Sequence, residues 1–216
     1  MNTLIQNLDP VLQLLLVMSC FAFVPFIFTC MTSFMRYAIV FSFLKQAMGT
    51  QSIPPTIVLL GLSIIMTFYS MGGVFQSMWE AGYEPYQKSG SLVEAVVEGS
   101  KPLKEFMMKN TRETDMMYFI EKSRGGKVPA TPEEITIWEV APAFILSELK
   151  TAFEIGFIIY IPFIVLDMVV ANVLLALGMF MLSPTIISLP FKLLIFIAVC
   201  DCIFFCSIKF ALGTGI

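Results

Sequence analysis

The sequence predicts an all-α, integral membrane-type protein: helical hairpins with kinked, proline-interrupted helices around a central amphipathic helical insertion. Three observations carry that expectation. Of the 216 residues, 57% are hydrophobic, and mean hydropathy is +0.85, against roughly 45–50% apolar residues in a soluble domain. Charge is segregated, because most of it falls between Glu80 and Lys150 while the flanks are broken only by Asp9, Arg36, Lys45, Glu154, Asp167, Lys192, Asp201 and Lys209. The flanking runs reach the ~20 residues that a helix needs to cross about 30 Å of hydrocarbon, and Pro25, Pro162 and Pro190 interrupt them.

The elements follow in order. Val11 to Met35 is long enough to span, with a kink expected at Pro25, since an internal proline removes a hydrogen bond and frees a carbonyl that protein or water must satisfy. The apolar pattern continues past Arg36 to Met48 and stops at Gly49 and Ile53-Pro54-Pro55. Thr56 to Val74 forms a second segment, expected to end at Gly72-Gly73, so that 11–79 makes the first hydrophobic hairpin. Across 80–140 the pattern becomes that of amphipathic helices: Leu92, Ala95 and Val96 share one face of a short helix. Pro102 opens a longer one, carrying Leu103, Phe106, Met107, Asn110 and Thr114 to about Lys122. Ser123 to Pro132, rich in Gly, Lys and Pro, reads as a loop. In 141–216 a helix from Ala141 meets Pro162 and continues to Leu177, and after a turn the last helix covers Thr185 to Leu212. The whole is one subunit, because the narrow apolar stripe of the insertion needs a surface to cover.

The bias of Arg36 and Lys45 against Asp9, Glu80 and Glu84 places the Lys45 loop inside and the central region outside. Four spans would then leave both termini outside. Met1 to Pro10 carries no Lys or Arg ahead of the apolar run, so it does not read as a cleavable signal peptide.

Two features point to function. Leu177-Gly178-Met179-Phe180-Met181-Leu182-Ser183-Pro184 is a Gly/Pro-bounded turn with no charged side chain, where bulk water would favour polar residues. Such a turn is expected inside protein or at a pore constriction, where thioethers can repack around a passing chain; the competing reading is packing at a tight turn. The second feature is ionisable residues in apolar helices, each of which needs a partner or a wet cavity. Glu148 with Lys192 is the expected pair, between helices of one chain or between neighbouring copies, leaving Arg36 and Asp167 as the other buried charges. Interfacial snorkelling is the alternative for Lys192 and Arg36.

The same residues exclude much. There is no histidine, hence no His-based triad, His-Glu-x-x-His zinc site or axial haem histidine. Cys20, Cys30, Cys200, Cys202 and Cys206 lie in apolar segments, and Cys200-Asp201-Cys202 with Cys206 matches no zinc spacing. Asp167 and Asp201 raise an intramembrane aspartyl protease, but neither stands in a Gly-x-Gly-Asp context. No glycine-rich phosphate loop is present, so neither an enzyme nor a bound cofactor or metal is expected. No basic, aromatic-interleaved cluster suggests nucleic acid.

The chain also resembles a known family, through Met31-Thr32-Ser33-Phe34, Ile39-Val40-Phe41, Gln46-Ala47-Met48-Gly49 and Pro54-Pro55. The matches continue with Pro102-Leu103-Lys104-Glu105-Phe106-Met107, Thr111-Arg112-Glu113, Pro142-Ala143-Phe144 and Ser147 to Phe153. Ile161-Pro162-Phe163, Asp167, Gly178-Met179-Phe180-Met181 and Ile187 to Leu193 complete them. On these the sequence resembles the FliP/SctR family of export-gate proteins over nearly its whole length. The resemblance implies a homo-oligomer, pentameric in the family, in the bacterial inner membrane at a flagellar basal body or injectisome base. Implied partners are FliQ/SctS-like and FliR/SctT-like subunits, an FlhB/SctU-like export-switch protein and unfolded export substrates. It also implies a gate at Met179, Phe180 and Met181, where the family's middle Met is Phe, and a departure at Val199-Cys200-Asp201-Cys202, where the family shows Val-Asp-Gly-Trp. The missing leader suits the virulence branch, whereas Thr111-Arg112-Glu113 and Ser147 to Phe153 look flagellar. The flagellar reading is preferred; a virulence-type SctR in the same role is the first alternative, and a small-solute channel or transporter subunit the second.

Overall fold

The computed structural model describes residues 10–50, 54–90, 92–124, 135–179 and 181–211. Among them the chain forms helices and no strand: α1 (Pro10–Met31), α2 (Phe34–Ala47), α3 (Thr56–Ser89), α4 (Leu92–Asn110), α5 (Glu113–Arg124), α6 (Ile137–Ala176) and α7 (Pro184–Ala211).

The helix breaks fall elsewhere than the prolines suggest. α1 runs through Pro25, and the chain instead turns at Thr32-Ser33, where Phe21–Met31 and Phe34–Ala47 meet at 72°. The Thr32 hydroxyl explains the position: Oγ1 donates to the Phe28 carbonyl at 2.6 Å and accepts from the Phe34 N–H at 3.3 Å. It thereby competes with the backbone ladder for both groups. Gly72-Gly73 does not end α3, which continues unbroken to Ser89. A helical glycine costs only about 1 kcal/mol, and Met71, Val74, Phe75 and Met78 around it pack into a core that outweighs that cost. Pro102 lies inside α4, not at a helix start; the break comes at Thr111-Arg112, where the Thr111 hydroxyl donates to the Met107 carbonyl at 2.6 Å.

Two apolar clusters organise the helices. The first joins α3, α4, α5 and the start of α6 through Met71, Leu103, Met107, Ile120, Val140 and Phe144. α3 and α4 approach so closely here that a Cβ on Gly82 would stand 3.2 Å from the Ala95 carbonyl oxygen. The second cluster seals α2 against α6 through Val40, Ala47, Ala152, Ile159 and Phe163, with Phe196 of α7 against it. Arg36 faces Glu148 and Phe43 faces Phe153, so α2 runs in the same direction as α6. α7 folds back antiparallel.

α3 over Thr56–Gln87 and α6 over Ile137–Ala176 are long and apolar enough to cross a membrane, and the bent α1–α2 pair makes up to a third span. The fourth expected span would fall on α7, whose described apolar stretch is Pro184–Ile197.

Gly156 is the tightest point of the α2–α6 seam. A Cβ there would lie 2.6 Å from Cδ2 of Phe43, and the ring is held on its other side by an edge-on contact with Phe153 at 5.3 Å. Gly156→Ala is expected to destabilise the chain by about 1–3 kcal/mol through overpacking, read from chemical unfolding in detergent. Adding Phe43→Leu should recover part of that loss.

Candidate functional site

Arg36 opens the first turn of α2 directly after the 72° bend, and Glu148 lies in the first half of α6. The guanidinium grips the carboxylate with two hydrogen bonds, Nε to Oε2 at 2.6 Å and Nη2 to Oε1. Glu148 is 1% exposed and Arg36 5%. This corrects the expected pairing of Glu148 with Lys192 within one chain. Lys192, 3% exposed, donates instead to Asp167 Oδ2 at 2.7 Å, and the buried Ser188 hydroxyl donates to Asp167 Oδ1 at 2.6 Å. The reason is geometric. Glu148 and Asp167 sit about 28 Å apart along α6 at ~1.5 Å per residue, and the short turn back into α7 brings Lys192 beside the nearer carboxylate. These four charges thus neutralise one another in two pairs, the buried Arg36–Glu148 and the half-buried Lys192–Asp167, one at each end of the α2–α6 seam. The seam's far end reaches the second pair as well, since the Lys192 ammonium lies 3.5 Å from where a Gly49 Cβ would be.

A set of polar clips that the sequence reading missed ties α5 to α6. Arg112 donates through its guanidinium to Glu154 at 2.6 Å and through its backbone N–H to the Ser147 hydroxyl at 3.1 Å. Lys150 pairs with Asp115. Arg124 and Ser123 both donate to Glu139, which also accepts from the Thr136 N–H at 2.8 Å and so closes a capping box at the start of α6. The available signal was Ser147, Lys150, Thr151 and Glu154 at spacings of three and four on an otherwise apolar helix. That spacing puts them on neighbouring positions of one face.

The C-terminal end of α6 is closed by its own backbone. Gly178 takes φ 74°, its N–H bonds to the Leu175 carbonyl at 3.1 Å, and the Met179 N–H reaches the Leu174 carbonyl at 3.0 Å. These two bonds are the Schellman pattern that closes a helix on a left-handed residue. Pro184 then starts α7, where its missing N–H costs nothing. Between these stops the side chains are uncovered: Met179 is 41% exposed, Met181 fully exposed, and Leu177 and Leu182 exposed as well. Phe180 lies outside the described residues. The structure thus places Met179 and Met181 together at the tip of the hairpin, with the Lys192–Asp167 pair at its base.

No group of three His, Cys, Asp or Glu residues that could hold a metal ion occurs among the described residues. The side chains of Asp201 and of Cys200, Cys202 and Cys206 lie outside them. Among the described residues the site consists of ion pairs that hold helices and an apolar turn that projects from them.

Long apolar helices, internally paired charges and wide uncovered apolar faces define a helical protein of the membrane class, built to be covered by lipid or by other subunits. Comparison with known proteins gives the family. The FliP family matches residues 17–202. The chain is 43% identical over 195 residues to the flagellar biosynthetic protein FliP of Bacillus subtilis, covering 90% of this chain and 88% of the relative. To the flagellar biosynthetic protein FliP of Pectobacterium carotovorum it is 44% identical over 190 residues, 87% of this chain and 72% of the relative. The chain belongs to the FliP family.

Removing one partner of a buried ion pair strands the other charge, at a cost of ~3–5 kcal/mol. Arg36→Ala or Glu148→Ala alone should therefore be strongly destabilising, whereas Arg36→Met with Glu148→Leu should cost less than either single change. Arg112→Ala, which breaks a pair whose side chains are 40% and 54% exposed, should cost under about 1 kcal/mol. Unfolding of the variants in detergent checks the order.

Proposed function

We propose that the chain is a channel-forming subunit of the flagellar protein export gate, assembled in several copies with FliQ- and FliR-like partners and an FlhB-like switch protein in the bacterial inner membrane. Unfolded export substrates pass through it, and Met179, Phe180 and Met181 of every copy form an apolar ring that seals the path. The observation that carries this reading is the α6–α7 turn, closed on the α6 side by the Gly178 cap and tied at its base by the half-buried Lys192–Asp167 pair, yet presenting uncovered thioethers. A soluble turn with these side chains would be costly, whereas a dewetted constriction uses them: it blocks ions without binding them, and flexible methionines fold aside around a polypeptide. The similarity to flagellar biosynthetic proteins of Bacillus subtilis and Pectobacterium carotovorum favours this setting over an injectisome.

Shortening the three gate residues to Ala should widen the ring, giving ion leak and slowed growth while export continues. Patch-clamp or dye-leak measurements on membranes with normal levels of the assembly read this directly. A triple variant as ion-tight as the parent would move the seal to another element.

Oligomerisation follows from the uncovered faces of α3, α6 and α7, which carry Phe68, Phe157, Val169 and Ile186 among other exposed apolar side chains. With the native cysteines replaced, Cys placed at 157 or 186 on these uncovered faces should cross-link assembled copies. Monomers alone at both positions, from an assembly shown to be intact, would refute contact through these faces.

A further inference from the structure

The junction of α2 and α3 holds a cleft of about 610 Å³, lined by Ser42, Lys45, Gln46, Thr50, Thr56 and Ser63 among others. Through Gly49 it adjoins the Lys192–Asp167 pair. Three of its features are unspent. Lys45 donates to the Thr56 hydroxyl at 3.2 Å, but no carboxylate stands within ion-pair distance of it among the described residues. The Thr50 hydroxyl oxygen is shielded from solvent and has no hydrogen-bond partner, which for a buried hydroxyl costs ~1–3 kcal/mol. α3 starts at Thr56 behind Pro55 with no side-chain cap; the Val58 N–H is taken by the Pro55 carbonyl at 3.0 Å, and the helix start carries the positive end of a long helix dipole.

A cation lacking a counter-charge, an orphaned hydroxyl and an uncapped helix start are complementary to one kind of group: an anion with several acceptor oxygens. We propose that the cleft binds a phosphate group, carried by an anionic phospholipid headgroup or as free phosphate. Lys45 supplies the charge, Thr50 and Thr56 donate hydroxyl hydrogen bonds, and the α3 first turn donates N–H groups. The flank suits a lipid, since Ile57 and Val58 at the start of α3 are exposed on a helix long enough to cross a membrane. Acyl chains laid along that face would cover them.

The test uses the full chain in its native assembly, extracted in detergent and stripped of lipid. Calorimetric titration compares dihexanoyl phosphatidylglycerol, dihexanoyl phosphatidylcholine and inorganic phosphate. The parent is expected to bind phosphatidylglycerol saturably, and Lys45→Gln to weaken that binding about tenfold, as loss of a charge-assisted hydrogen bond does. Lys45→Arg should keep most of it, and Thr50→Val should weaken it less. Inorganic phosphate binding as tightly as the lipid assigns the site to free phosphate; phosphatidylglycerol binding without phosphate binding assigns it to a headgroup. Either supports the proposal. It is overturned if neither probe binds the parent, if phosphatidylcholine binds equally well, or if Lys45→Gln, eluting and unfolding like the parent, binds unchanged. Should Lys45→Gln fail to assemble, unchanged binding in Thr50→Val overturns it in the same way.

Discussion

One buried contact, the guanidinium of Arg36 on the carboxylate of Glu148, governs how the two ends of this chain meet. It stands immediately after the 72° bend at Thr32-Ser33, where α2 has no covalent reason to follow α6. Apolar packing alone would tolerate a slip of one helical turn along such a seam, since methyl groups interchange cheaply. A bidentate pair in a low-dielectric interior does not, because a slip of 5.4 Å, one helical pitch, would strand both charges. With the pair made, Phe43 comes to rest on Gly156 and Ala47 on the cluster with Ile159 and Phe163. The seam then ends where Gly49 meets Lys192 and the second ion pair begins. The hairpin that carries the apolar turn is thus indexed, through α6, to the break between α1 and α2.

Much of this was readable from the residues. Hydropathy and the segregation of charge give an all-helical membrane-type chain, and the α6–α7 turn was legible because Gly at a helix end and Pro at a helix start have local, context-free reasons to be there. Helix breaks were less so. Pro25, Gly72-Gly73 and Pro102 looked like interruptions, yet the helices run through them, with packing around Met71 and Leu103 at the last two, while the breaks fall at Thr32-Ser33 and Thr111-Arg112.

That each buried charge needs a partner was clear from the cost of ionisable groups in apolar helices. Which partner was not, because pairing depends on the direction and offset of neighbouring helices, and periodicity encodes neither. The same blindness hid the Arg112–Glu154 and Lys150–Asp115 clips, whose members lie more than thirty positions apart in the sequence.

What remains uncovered is as informative as what is buried. The chain closes its ion pairs internally but leaves phenylalanines, isoleucines and methionines exposed along α1, α3, α6 and α7, so lipid or other subunits would cover apolar area and not charge. The turn at Met179 and Met181 is an uncovered apolar feature next to a capped helix end and an ion pair, which suits a surface that must yield to passing chain without unfolding its support. The direct measurement is photo-cross-linking from position 181 while a secreted substrate is stalled in transit. Adducts with the stalled polypeptide, lost when export is blocked upstream, are the result expected of a gate; adducts confined to lipid or to a packed neighbour, unchanged by the substrate, would contradict it.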